Sequence, residues 1–137
     1  MLKKIIFSVA TLLMVTAASA QVKFYDVSTD ELKRLATEQN KLVFIDIYAN
    51  WCPPCRMMEQ QVFSREDVGE FMAQRFVSAK YNIDEGVGKE FAQKYSIESI
   101  PTYLIFDLDG KVVGRITGSK TPEDFMVYIK QLLFEQQ

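Results

Sequence analysis

Apolar and polar positions alternate along the chain in blocks of two kinds. Val22 to Val27 reads as a short first strand. Ser28 or Thr29 can cap a helix whose first turn holds Asp30 and Glu31, where the helix dipole favours acids. Leu32, Leu35 and Ala36 share one face of that helix, and Asn40 stops it. Leu42 to Tyr48 is apolar except for Asp46; a β-branched and aromatic run of this length fits a strand buried on both faces, as in a parallel sheet. Arg56 to Gln61 is helix-like. Ser64 with Asp67 forms a Ser-x-x-Asp capping signal for a helix to about Arg75.

Phe76 to Ile83 reads as another strand, Lys89 to Tyr95 as a short helix and Thr102 to Asp107 as a strand. Asp107-Leu108-Asp109-Gly110 turns into a strand over Lys111 to Thr117, making a hairpin. Thr121-Pro122-Glu123-Asp124 is a cap, a first-position proline and first-turn acids, which starts a helix to about Phe134. The order β-α-β-α-α-β-α-β-β-α predicts an α/β sandwich around a mixed central sheet.

The segment before Gln21 has a different pattern. Lys3 and Lys4 precede an apolar run from Ile5 to Ala17, broken only by Ser8, Thr11 and Thr16, and Ala18-Ser19-Ala20 is a small-x-small cleavage site. That order is a secretory signal peptide, expected to occupy residues 1–20 and to leave residues 21–137 as one domain. The alternative is an uncleaved anchor, but the apolar run is shorter than the roughly 20 residues a spanning helix needs. Lipid attachment at the cleavage site is disfavoured, because the only cysteines are Cys52 and Cys55. No stable membrane insertion of the mature chain is expected.

Export changes the charge and the redox setting. The chain has 16 Lys+Arg and 18 Asp+Glu; removing Lys3 and Lys4 shifts the net charge from −2 to −4. No basic cluster survives, which argues against nucleic acid or anionic membranes as partners. Cysteines outside the cytoplasm meet an oxidising environment in which disulfides persist.

Cys52-Pro53-Pro54-Cys55 lies where the buried strand ends and a helix begins. Unpaired N–H groups and partial positive charge at a helix N-terminus stabilise a thiolate, the attacking species in disulfide exchange. The first cysteine is expected to be the more exposed, and the second to lie within reach of the mixed disulfide. Two other readings compete. A purely structural bridge would close a very small loop and constrain the unfolded chain little. Structural zinc takes four Cys or His ligands, and this chain has two cysteines and no histidine. Neither metal nor cofactor is expected, since the cysteine pair itself stores the electrons.

The stretch from Asp46 to Arg56 resembles the active-site segment of the thioredoxin family. Ala79-Lys80-Tyr81-Asn82-Ile83-Asp84 resembles its next central strand, Tyr95 to Thr102 resembles its proline loop, and Gly118 falls where the family has a glycine after the hairpin. The resemblance covers almost all of the mature chain and implies a thioredoxin-like three-layer sandwich. Two features depart from small cytosolic thioredoxins: Pro-Pro stands between the cysteines in place of Gly-Pro, and the Val62 to Arg75 segment is longer. In these respects the chain resembles exported relatives, including the C-terminal domain of transmembrane thiol:disulfide interchange reductases.

The resemblance also implies roles. Asp46 matches a buried carboxylate behind the second cysteine. Burial of an unpaired charge costs several kcal/mol, so the pKa of Asp46 should rise and make it a proton acceptor for Cys55. Lys80 matches the basic neighbour of that acid, with an ion pair serving only structure as the alternative. Pro101 matches a cis-proline facing the cysteines, which leaves the Ile100 backbone free to pair with an extended peptide. Trp51 shields the site and offers a docking surface, or packs in the ordinary way. Trp51, Pro53, Pro54 and Ile100 are expected to form an apolar patch around Cys52. The implied activity is that of a monomeric protein-disulfide reductant in the cell envelope, acting on protein disulfides and drawing electrons from an upstream thiol donor. The rivals are a disulfide-forming oxidant and a binding module without turnover.

Overall fold

The computed structural model describes residues 20–137; of the expected signal and cleavage site, all but Ala20 lie outside them. The elements follow the expected order: β1 (Phe24–Tyr25), α1 (Thr29–Gln39), β2 (Leu42–Tyr48), α2 (Pro53–Gln61), α3 (Glu66–Arg75), β3 (Phe76–Asn82), α4 (Gly86–Lys94), β4 (Thr102–Phe106), β5 (Val112–Thr117) and α5 (Pro122–Phe134). The sheet runs β1-β3-β2-β4-β5. β1, β3 and β2 are parallel, while β4 and β5 join antiparallel, so the sheet is mixed.

Capping sets several boundaries. Ser28 accepts from the Glu31 amide at 3.3 Å, and Asn40 ends α1 in the left-handed region at φ 50. Thr121 accepts from the Asp124 amide at 3.1 Å, with Pro122 at the first helical position. Three expectations need correction. β1 is only two residues long. α2 begins at Pro53 rather than near Arg56, because the first helical positions need no N–H and both prolines fit there. Ser64 does not cap α3: its hydroxyl donates to the Gln60 carbonyl at 2.5 Å, closing off α2, and Arg65 occupies the cap without a side-chain bond.

Strand alternation divides the core into two layers around the sheet. On one face, Phe44, Tyr103, Ile105 and Ile116 meet Met58 of α2 and Val62 at its C-terminal cap, Val68 and Met72 of α3, and Phe125 and Ile129 of α5. On the other, Val43, Ile45, Ile47 and Leu104 meet Leu32 and Ala36 of α1, with Phe91 of α4 packed against them. Helices on both faces make the three-layer sandwich. Among the described residues no helix is long and apolar enough to cross a membrane.

Candidate active site

The site forms where β2 emerges from the core. Cys52 is the N-cap of α2, and its sulfur accepts from the Cys55 amide at 3.2 Å. The two sulfurs are bonded, with the Cα atoms 5.3 Å apart. Pro53 and Pro54 carry no N–H, so the Cys55 amide is the local backbone donor to Cys52. The expectation that Cys52 is the more exposed cysteine is not met: it is 2% exposed and Cys55 9%. The reason is tertiary. Tyr48, Ile83 and Ile100 pack against the cluster that Ala49, Cys52 and Cys55 form.

Asp46 lies on the α2 side of the sheet, two residues from Tyr48 along β2. It lies in a cleft of about 230 Å³ shared with Tyr48, Cys55, Arg56, Glu59 and Lys80. Burial pushes its carboxyl up to about 7; the charge of Lys80 opposes this shift and that of Glu59 adds to it. Lys80 is its parallel-strand partner. The Lys80 ammonium reaches Glu59 at 3.4 Å and lies 4.5 Å from the centre of the Tyr48 ring. The structure thus brings Asp46, Lys80 and Cys55 together. A cleft of about 390 Å³ between α1 and α4, on the far side of the sheet, contains none of the expected site residues.

The Ile100–Pro101 bond is cis. The Pro101 carbonyl accepts from Gly118 at 2.8 Å, and Gly118 takes φ 83, a conformation that suits glycine. The Ile100 backbone makes no backbone hydrogen bond among the described residues. Trp51 is 65% exposed, and its indole N–H donates to Asp84 at 2.7 Å. The residue is therefore fixed at one end and open over its ring, which excludes ordinary core packing. Pro53 is exposed, while Ile100 is half-buried.

Three polar residues of this region carry no expectation from the sequence. Glu59 follows Cys55 by one helical turn, a spacing that places both on one face and could have revealed it. Arg56 donates to the Asn50 carbonyl at 2.8 Å, tying α2 to the loop before Cys52. Asp84 is distant in sequence from Trp51, and no local pattern links them.

Residues 29–133 match the family model described as a thioredoxin-like domain. The chain belongs to the thioredoxin family. It is 31% identical over 97 residues to a thioredoxin of Chlorobaculum thiosulfatiphilum, covering 71% of this chain and 84% of that one. It is 28% identical to the thiol:disulfide interchange protein DsbD of Tatumella citrea, over 88% of this chain but only 22% of that protein. Among solved structures, a putative disulphide-isomerase from Bacteroides thetaiotaomicron superposes with a TM-score of 0.76 at 28% identity. That match covers 85% of this chain and 97% of the other. A thioredoxin from Thermus thermophilus gives 0.73 at 27%, covering 82% and 88%. Membership of this family, together with the bonded Cys52–Cys55 pair, makes the chain a thiol:disulfide oxidoreductase.

Proposed function

We propose that the mature domain is a monomeric protein-disulfide reductant of the cell envelope. The observation that carries this direction is the cap of α2. A cysteine pair is a strong oxidant when its reduced form is held by a well-stabilised thiolate. Here both intervening residues are prolines, the Cys55 amide is the donor to Cys52, and no histidine exists to supply a cation. The Cys52 thiolate is moderately stabilised, so the pair gives its electrons away.

In the forward reaction the Cys52 thiolate attacks one sulfur of a substrate disulfide. A mixed disulfide forms, and the other substrate sulfur leaves as a thiolate that takes up a proton. Asp46 accepts the Cys55 thiol proton. The Cys55 thiolate then attacks the Cys52 sulfur, which releases the second substrate thiol and closes Cys52–Cys55. Two electrons pass to the substrate, and an upstream thiol donor restores the dithiol. Lys80 stabilises the charged form of Asp46, while Glu59 opposes it. Ile100 and Pro101 hold the substrate chain in extended form beside the pair, and Trp51 and Pro53 supply apolar contact.

A redox titration against glutathione tests the direction. The expected potential lies nearer the roughly −270 mV of thioredoxin than the roughly −120 mV of a strong oxidant. A value close to the latter would reverse the direction and leave the cysteine chemistry intact. Export predicts cleavage after Ala20. Intact mass of the protein from its host should match a chain starting at Gln21, with or without cyclisation of that glutamine; a full-length mass in the membrane fraction would contradict it.

A further inference from the structure

One row across the sheet, on the face that meets α2, reads Lys80 on β3, Asp46 on β2, Tyr103 on β4 and Ile116 on β5. The buried acid therefore has a cation on one side and a phenol on the other. Tyr103 is fully buried. Its ring stacks on Phe44 with centroids 5.4 Å apart and meets Phe63 and Phe125 edge-on. A phenylalanine would satisfy every one of those ring contacts. The hydroxyl is the costly part: a buried polar atom without a partner costs about 1–3 kcal/mol. Two side-chain atoms among the described residues are buried and unpartnered, the Tyr103 hydroxyl and Asp46 Oδ1. They belong to residues directly opposite one another on antiparallel strands. Residues so paired have Cβ atoms about 5 Å apart, so the two side chains lie next to each other on one face of the sheet.

We propose that Tyr103 is a positioning residue for the exchange reaction, its hydroxyl donating a hydrogen bond to the Asp46 carboxylate when that acid is ionised. Burial and the facing carboxylate both push the Tyr103 phenol upward, so it remains a donor throughout the working range of the enzyme. The other polar groups around the acid come from α2, with Cys55, Arg56 and Glu59, from β3 with Lys80, from β2 itself with Tyr48, and from the loop after β2 with Asn50. β1 contributes Phe24 to the cleft, and α5 contributes the Phe125 ring against Tyr103. Tyr103, fully buried and not part of the cleft lining, is a neutral donor beside the carboxylate on the core side. A donor that serves the ionised form makes Asp46 a base at lower pH than burial alone would allow.

The inference rests on the reading of Asp46 as proton acceptor, and Tyr103→Phe tests it without disturbing the rings. In the mature, aspartate-labelled protein the carboxyl-carbon chemical shift of Asp46 is followed against pH. The midpoint should rise by about one pH unit in Tyr103→Phe, the scale of one hydrogen bond to a charged group. The inflection in the pH profile of exchange should move with it; the melting temperature should be equal or higher below the midpoint, where the parent hydroxyl is unpaired, and lower above it, where the bond to the carboxylate has been lost. An unchanged or lowered midpoint overturns the proposal. If Asp46→Asn leaves the kinetic inflection in place, the proton-acceptor reading fails instead, and the carboxyl midpoint still decides whether the bond exists.

Discussion

Cys55→Ser is expected to stop the enzyme halfway. Cys52 keeps its position at the cap of α2 and still attacks a substrate disulfide, but no second thiol lies within reach to resolve the product. Cys55 is bonded to Cys52, with Cα atoms 5.3 Å apart, which supports it as the resolving group. A mixed disulfide between Cys52 and the substrate should therefore accumulate, stable on non-reducing gels and lost on addition of dithiol. Multiple-turnover reduction should fall by at least about 100-fold, because the covalent route is cut rather than slowed. The serine is close in size to cysteine, so the fold should be unaffected. Expressed in the host, the same variant should identify the clients as the proteins it retains.

The second large effect concerns Asp46. Burial penalises the charged form and pushes its folded carboxyl up to about 7, from 3.8 for the free group. Between these values the folded chain holds a proton that the unfolded chain has released. Stability therefore falls as pH rises from about 4, and the loss is complete above about 7. Asp46→Asn removes that penalty. The variant should be more stable than the parent at pH 8 by about 2–4 kcal/mol, with the difference shrinking toward zero near pH 4. Denaturant unfolding at the two pH values measures it. Exchange should move the opposite way: above neutral pH, where the parent carboxylate is charged, the variant lacks the base and should be about 10–100 times slower. A gain in stability joined to a loss in rate marks a residue kept for chemistry rather than for the fold. Equal rates across neutral pH would leave Asp46 a structural residue.

Legibility of this fold and site depended on how local each feature is. The run Leu42 to Tyr48 was readable because a strand buried on both faces needs no partner to declare itself, and Asp46 stood out as its one acid. Thr121-Pro122 was readable because a cap and a first-position proline are complete within four residues. Ser64 was misleading for the opposite reason. A serine between two helices can cap the second or bond back to the first, and here the Gln60 carbonyl wins. The burial of Cys52 under Ile83 and Ile100 depends on loops some 30 and 50 residues away in sequence, which no local pattern joins. Glu59 was within reach of a helical-spacing argument from Cys55. The pairing of Tyr103 with Asp46 was not: strand alternation says which face a residue takes, but only the order and register of the sheet say what lies opposite.

Catalysis through Cys52 is tested by steady-state reduction of a protein disulfide by the purified domain supplied with a dithiol, compared with Cys52→Ser. Turnover by the parent and only the uncatalysed background in the variant are expected, with both proteins folded. Equal activity in Cys52→Ser would contradict the central claim that catalysis runs through this cysteine.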